Sequence, residues 1–197
     1  AIIILGIGVI VVFVASPKYA QFIFMGLLGG GFMTIFLALE SYRLERLEIW
    51  RNPEKFEKGY QTLQGLYAIG SGGLFGRGLG ESVQKLGFVP EAQNDMIFSI
   101  ICEEMGLFGA GFVMILFLIL IWRFFVIATH AEDLFGALIA SGAMAHMMIQ
   151  VILNIAVVTN TIPNTGITLP FVSYGGTSVV FLLLEMGLVL SVSSMVR

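Results

Sequence analysis

Residues 96–127 read MIFSIICEEMGLFGAGFVMILFLILIWRFFVI, an almost uninterrupted apolar run that decides the fold class. A helix of this length, at about 1.5 Å per residue, is longer than the ~30 Å hydrocarbon core of a bilayer. The whole chain agrees, because 57% of its 197 residues are apolar, 12% are charged and its mean hydropathy is +0.95. Soluble domains carry roughly 25% charged residues. We therefore expect an all-α integral membrane protein.

Other apolar runs accompany this one, at about 1–16, 19–40, 134–160 and 172–195. The first would form a helix of about 24 Å, which is too short to span, whereas the others are long enough. The chain begins at Ala1 with neither a methionine nor a basic segment, so no signal peptide is indicated. The sequence predicts a polytopic helix bundle with one truncated and four complete transmembrane helices. We expect a single membrane domain over 1–197, cut from a larger protein.

A long loop over 41–95 separates the second apolar run from the third. Charges of both signs alternate over 43–58 as on a solvated helix face, which predicts short interfacial or re-entrant helices in this loop. Its charges nearly cancel, and long loops translocate largely regardless of charge, so we place it on the extracellular side. The net charge of −3 without a basic run indicates no nucleic-acid partner. The single cysteine, Cys102, leaves no disulfide and no cysteine-based metal site.

The segment from Gly70 to Gly80, GSGGLFGRGLG, is the part of the loop richest in glycine. Glycine allows positive φ and lets backbone amides approach a ligand closely. A nucleotide site is not indicated, since the Lys-Ser/Thr of a phosphate-binding loop is absent and no strand precedes the segment. Two interpretations stay open. The segment is a re-entrant or interfacial bend, or it forms a site where Arg77 and Lys85 anchor an anionic head group such as a pyrophosphate.

Asp95 ends the loop directly before the third apolar run and also has two interpretations. Aspartate is a preferred N-cap residue, because its side chain accepts hydrogen bonds from the first-turn amides of a helix. It could equally serve as a general base. Capping would lower its pKa and weaken it in that second role.

Polar side chains also interrupt the apolar runs, where a charge near the bilayer centre costs about 2.5 to 3.5 kcal/mol. These residues are Glu103, Glu104 and Glu185, with His146, Gln150 and Asn154 as a stripe on one helical face. The acids predict either pairing inside the bundle or a substrate or proton path. The stripe predicts either interhelical hydrogen bonds or the wall of a cavity. A single histidine without companion ligands does not indicate a metal site.

Two long stretches resemble the signatures of the SEDS proteins, the family of FtsW, RodA and SpoVE. They are residues 59–106, GYQTLQGLYAIGSGGLFGRGLGESVQKLGFVPEAQNDMIFSIICEEMG, and residues 165–178, TGITLPFVSYGGTS. The similarity continues over nearly all of the chain, in the order of the family's C-terminal half. Gln93 and Asn94 stand where many division and elongation members have His-Thr, and they are most similar to the sporulation branch. This chain has no histidine at that position for a mechanism to use.

The resemblance implies an inverting peptidoglycan glycosyltransferase that polymerises lipid II at the outer face of the bacterial plasma membrane. It places the catalytic aspartate at Asp95 and implies about ten spans, so we expect the isolated chain to be inactive. A class B penicillin-binding transpeptidase is the implied protein partner. No cofactor is certain, although a divalent cation, Mg²⁺ or Mn²⁺, could assist. Candidate substrate-binding residues are Arg77, Lys85, Glu91, Gln61, Gln64 and Ser173.

Two other functions remain open beside the enzyme. A flippase would carry lipid II across the bilayer along the acids inside the spans. A scaffold would recruit the transpeptidase through its helices. An enzyme should be most sensitive to substitution at Asp95 and in the outer loop, whereas a flippase should be most sensitive at the intramembrane acids.

Overall fold

The computed structural model describes residues 2–16, 23–24, 26–27, 29–31 and 41–195, and all regular secondary structure in this part of the chain is helical. We number the α-helices α1 (Ile2–Ala15), α2 (Ser41–Arg51), α3 (Tyr60–Gly72), α4 (Ile97–His130), α5 (Leu134–Val158) and α6 (Gly176–Met195). The described residues of 23–31 are also helical. Most of the span expected over 19–40 lies outside the described residues.

Within the described ranges, three helices are long and apolar enough to cross a membrane: α4, α5 and α6. They correspond to the apolar runs at 96–127, 134–160 and 172–195. The last helix begins later than its run, at Gly176, because residues 169–174 form a turn closed by the amide of Ser173 on the Leu169 carbonyl (3.0 Å). The helix α1 is shorter, and it packs against α5. The protein is therefore an all-helical membrane protein, as its composition predicts.

The loop over 41–95 is folded rather than extended. It holds α2 and α3, which are joined by 3₁₀ turns at Pro53–Lys55 and Glu57–Gly59. A further 3₁₀ turn at Gln84–Leu86 follows the glycine-rich segment. These short helices place the charged residues of 43–58 near one end of the helix bundle, where α3 packs against α4.

The glycine-rich segment docks onto a break in α4. Gly106 has non-helical dihedrals (φ 66°, ψ −165°), which interrupt the hydrogen bonding of that helix. Backbone bonds to the segment replace the lost ones: the amide of Arg77 donates to the Glu103 carbonyl and the amide of Leu107 to the Gly73 carbonyl, both at 2.9 Å. The segment is therefore a bend fastened to the helix that follows Asp95.

In the part of the chain that the structure describes, two apolar clusters form the core. One joins the first half of α4 to the end of α5 through Phe98, Phe117, Val151 and Val158, and includes Leu169. The other joins the second half of α4 to α5 and α6. Buried side chains thus hold the three long helices together, and the first cluster lies directly beneath the turn that carries Asp95.

Candidate active site

Asp95 lies in the turn before α4, and it does not cap that helix. The N-cap position belongs to Met96, which makes no side-chain capping bond. The Asp95 carboxylate instead accepts a hydrogen bond from Gln61 Nε2 at 3.3 Å. Only 9% of the residue is exposed. The structure therefore does not show the N-cap role that the sequence offered for Asp95.

Two polar residues from the bundle fix the backbone of this turn. Asn154 is fully buried, and its Nδ2 donates to the carbonyls of Asp95 (2.9 Å) and Ile167 (2.7 Å). The Ser173 hydroxyl donates to the Asn94 carbonyl at 2.6 Å and accepts from the amide of Leu169 at 2.7 Å. Both residues came from the sequence as candidates, and both lie beneath Asp95 as supports of its main chain.

A polar cavity of about 340 Å³ opens at the Asp95 side chain. Its walls come from α2, from the start of α3 and from the non-helical segment after α5. They consist of Glu45, Arg46, Ile49, Trp50, Lys58, Gln61, Thr62, Asp95, Asn160, Asn164, Thr165 and Gly166. Side chains of α2 bind the segment after α5: Trp50 Nε1 donates to the Asn160 carbonyl at 2.9 Å, and Arg46 Nη1 donates to the Asn164 carbonyl at 3.3 Å.

The surroundings of Asp95 raise the pKa of its carboxyl group above the ordinary value. Burial is the largest cause, because it disfavours the charged form. A hydrogen bond from the residue's own backbone opposes the increase, the negative charge of Glu91 adds to it, and the Gln61 amide opposes it. A carboxylate with a raised pKa is a stronger base than an exposed aspartate.

The cations expected to bind an anion lie away from this cavity. Arg77 Nη1 pairs with Glu103 at 3.3 Å, and Lys85 Nζ pairs with Glu104 at 2.7 Å. Arg46 and Lys58 line the cavity instead. Their alternating charge pattern predicts a solvated helix face, whereas in the fold Arg46 on α2 and Lys58 in the turn before α3 both line the cavity at Asp95.

The remaining candidate substrate-binding residues divide between the two sides of the turn. Gln61 lines the cavity, whereas Gln64 is half-buried on α3 and is not among its walls. Glu91 accepts a hydrogen bond from Asn94 Nδ2 and, with Lys85, lines a separate open depression. Of this set, Gln61 alone lines the cavity and bonds the Asp95 side chain, while Glu91 acts on it through its charge.

Comparison with known proteins supplies the family. The family model described as cell cycle protein, FtsW/RodA/SpoVE, matches residues 1–197. The chain belongs to the FtsW/RodA/SpoVE family.

This FtsW/RodA/SpoVE member is similar in sequence to curated bacterial proteins. Stage V sporulation protein E of Bacillus subtilis is 45% identical over 97% of this chain and 53% of its own length. The probable peptidoglycan glycosyltransferase FtsW of Coxiella burnetii is 41% identical over 92% of this chain and 50% of its own length. The chain therefore spans about half the length of the curated relatives it matches.

Two solved structures share the fold. A peptidoglycan synthase complex, described for its structural coordination of polymerization and crosslinking, matches all of this chain and 55% of its own with a TM-score of 0.81 at 28% identity. A mutant of the rod shape-determining protein RodA of Thermus thermophilus matches 68% of this chain and 40% of its own, with a TM-score of 0.52 at 33% identity.

In this FtsW/RodA/SpoVE chain, each acid that the structure describes inside the long helices has a partner. Glu103 is fully buried and accepts from Arg77, from the Ser82 hydroxyl (2.5 Å) and from the amides of Val83 and Gln84. Glu104 pairs with Lys85. Glu103 therefore holds the glycine-rich segment against α4 through Arg77, and Glu104 does so through Lys85, whose Nζ also donates to the Gly80 carbonyl at 2.6 Å.

The remaining intramembrane polar residues join other elements of the bundle. Glu185 on α6 lies 2.9 Å from His146 Nδ1 on α5. Gln150 Nε2 donates to the Thr168 hydroxyl at 3.3 Å. Among the residues that the structure describes, no group of three or more His, Cys, Asp or Glu side chains could hold a metal ion.

Proposed function

We propose that this chain carries the active site of a peptidoglycan glycosyltransferase that polymerises lipid II, with Asp95 as the general base. One observation carries the proposal: a desolvated carboxylate, which caps no helix, forms the wall of a polar cavity at the end of the helix bundle. Relatives named as probable peptidoglycan glycosyltransferases support the reaction class.

The reaction is a single displacement. Asp95 takes the proton from the 4-hydroxyl of the acceptor sugar while that oxygen attacks the anomeric carbon of the donor glycan. The new C–O bond forms as the bond to the lipid diphosphate breaks, and the diphosphate leaves with the electron pair. In-line attack inverts an α-linked donor into a β-1,4 linkage. The raised pKa of Asp95 favours this proton transfer.

The departing diphosphate needs positive charge, and Arg46 and Lys58 are placed to supply it. Both line the cavity that contains Asp95, whereas Arg77 and Lys85 are held in ion pairs beside α4. Lys58 pairs with Glu45 at 2.8 Å with its side chain 64% exposed, so the incoming phosphate exchanges one exposed ionic contact for another. Cationic donors of this kind stabilise charge that develops on a leaving phosphate.

The membrane setting belongs to the same proposal. Loop 41–95 and the Asp95 cavity face the outside of the bacterial plasma membrane, where the lipid-linked substrate is polymerised. A class B penicillin-binding protein is the proposed partner, which crosslinks the strands made here. Support for the partner comes from the likeness to a synthase complex that couples polymerization to crosslinking.

The test is lipid II polymerisation by the purified full-length protein. We expect Asp95→Asn to abolish glycan synthesis, because an amide cannot accept the proton. The matched control is Glu81→Gln, which removes an exposed carboxylate of the same loop and should leave synthesis intact. Glycan synthesis by a correctly folded Asp95→Asn protein would overturn the assignment.

The cations are tested separately in the same assay. Arg46→Gln and Lys58→Gln should each lower kcat/KM for lipid II about tenfold or more, as expected for the loss of a charge-assisted hydrogen bond to phosphate. Lys85→Gln is the matched control and should change kcat/KM much less. A greater loss from Lys85→Gln than from both cavity variants would show that the diphosphate binds at the other side of the turn.

A further inference from the structure

A chain of side-chain amides reaches Asp95 from the segment after α5. Gln61 Nε2 donates to Asp95 Oδ1 and to the Pro90 carbonyl, both at 3.3 Å. On its other side, Gln61 Oε1 accepts from Asn164 Nδ2 at 3.3 Å. The carboxylate of α4's leading turn is thereby connected to a residue 69 positions later in the chain, through one glutamine on α3.

The direction of these hydrogen bonds is fixed at the far end, in agreement with the Pro90 carbonyl, which can only accept from Gln61. The amide of Gly166 donates to Asn164 Oδ1 at 2.9 Å, and a backbone N–H can only donate. The oxygen of the Asn164 amide must therefore face Gly166, which turns its NH₂ group towards Gln61. Gln61 in turn must present its oxygen to Asn164 and its NH₂ group to Asp95.

The backbone of Asn164 is held as well as its side chain. Arg46 Nη1 on α2 donates to the Asn164 carbonyl at 3.3 Å. Gly166 continues the turn with a φ of +66°, and a Cβ added to it would lie 4.0 Å from Asp95 Oδ2. Asn164 is thus placed by α2 and by its own turn, independently of Gln61.

We propose that Asn164 is a positioning residue for the general base, acting through Gln61, whose amide it orients so that the NH₂ group faces the Asp95 carboxylate. This inference rests on the proposed function, which assigns Asp95 as the base. A hydrogen bond donated to a carboxylate favours its ionised form, so the relay keeps Asp95 ready to accept a proton in spite of its burial.

Other charges around Asp95 are left unchanged by the variants that test the relay. They are Glu91 in the same turn, Glu45 and Arg46 on α2, and Lys58 before α3. The segment 160–168, NTIPNTGIT, contributes no titratable side chain, and α5 contributes the amide of Asn154. A change in the pH dependence upon altering Gln61 or Asn164 therefore reports on the relay.

The experiment is the pH profile of kcat/KM for lipid II polymerisation by the full-length protein. Gln61→Leu removes the donor and should move the acidic limb of the profile to higher pH by about half to one pH unit. Asn164→Ala should move the limb in the same direction. Asn164→Ser is the second variant, because a serine hydroxyl can still accept from Gly166 and preserve the turn but cannot reach Gln61.

A double substitution separates positioning from a general structural role. Because Asn164 acts through Gln61, the Gln61→Leu/Asn164→Ser protein should show the same limb as Gln61→Leu alone. Thr161→Ala is the matched control: its hydroxyl lies 3.0 Å from Thr159 in the same segment, and the limb should not move.

The outcomes distinguish the relay from the function on which it rests. An unmoved limb in the Asn164 variants, or additive shifts in the double variant, would overturn the relay while loss of activity in Asp95→Asn still supports the enzyme. Full activity in Asp95→Asn would overturn the proposed function itself. Melting temperatures in detergent, measured for each variant, establish that the proteins compared are folded.

Discussion

At the scale of the residue, the burial that makes Asp95 a stronger base also lowers the stability of the folded protein at neutral pH. Its folded-state pKa is raised, so the native protein binds the proton more tightly than the unfolded chain does. Such a group contributes stability at low pH, and that contribution is lost as the pH rises through the folded-state pKa. We expect the melting temperature of Asp95→Asn to equal or exceed that of the wild type at pH 7. Near pH 4 the wild type should gain relative to the variant, because its Asp95 is then protonated. Thermal unfolding in detergent at both pH values tests this, and a lower melting temperature at pH 7 would contradict it.

Gly76 is a residue at which the backbone should tolerate a side chain poorly. Its φ is +78°, and a Cβ there would overlap the Glu104 carbonyl oxygen. Gly80 has a similar φ of +84° but open space around it, so it is the matched control. Gly80→Ala should cost about 1 to 2 kcal/mol of unfolding free energy from the left-handed backbone alone. Gly76→Ala should cost at least about 2 kcal/mol more. Equal losses in chemical unfolding would show that the segment does not pack against α4.

At the scale of the element, the carboxylates near the start of α4 hold the glycine-rich segment against that helix. All four partners of Glu103 are donors, which only a carboxylate can satisfy. Glu103→Gln places an NH₂ group among them, and we expect a loss of about 2 to 4 kcal/mol. Glu104→Gln removes one partly exposed ion pair and should cost less than about 1 kcal/mol. Chemical unfolding of the two variants, side by side, decides whether Glu103 is structural.

The sequence could predict these elements only in part. Apolar runs revealed α4, α5 and α6, because a span leaves a long uniform signal. The resemblance singled out Asp95 as the catalytic candidate. Apart from Gln61, the other walls of its cavity escaped prediction, since Trp50 and Asn160 are 110 positions apart and neither belongs to a periodic pattern. Arg46 and Lys58 escaped for another reason: opposite charges three or four apart have the same spacing on a solvated helix and on a cavity wall.

At the scale of the whole molecule, the arrangement of polar groups bears on the choice between enzyme and flippase. A path across the bilayer needs polar side chains that line it along its length. The described acids inside the spans are instead engaged locally, Glu103 and Glu104 with the loop and Glu185 with His146. The polar cavity lies at one end of the bundle, around Asp95. Chemistry at a membrane surface fits this distribution better than transport does.

Glu185→Gln provides the test at this scale, because it removes a charge that links α5 to α6 without touching the cavity. The pair has side chains 31% and 23% exposed, so its loss should leave the fold intact. For an enzyme, polymerisation should remain within about threefold of the wild type, a barrier change below ~0.7 kcal/mol. For a flippase, movement of fluorescent lipid II across proteoliposomes should fail in Glu185→Gln and persist in Asp95→Asn. That second pattern would contradict the enzyme, because it separates function from the cavity and assigns it to the centre of the bundle.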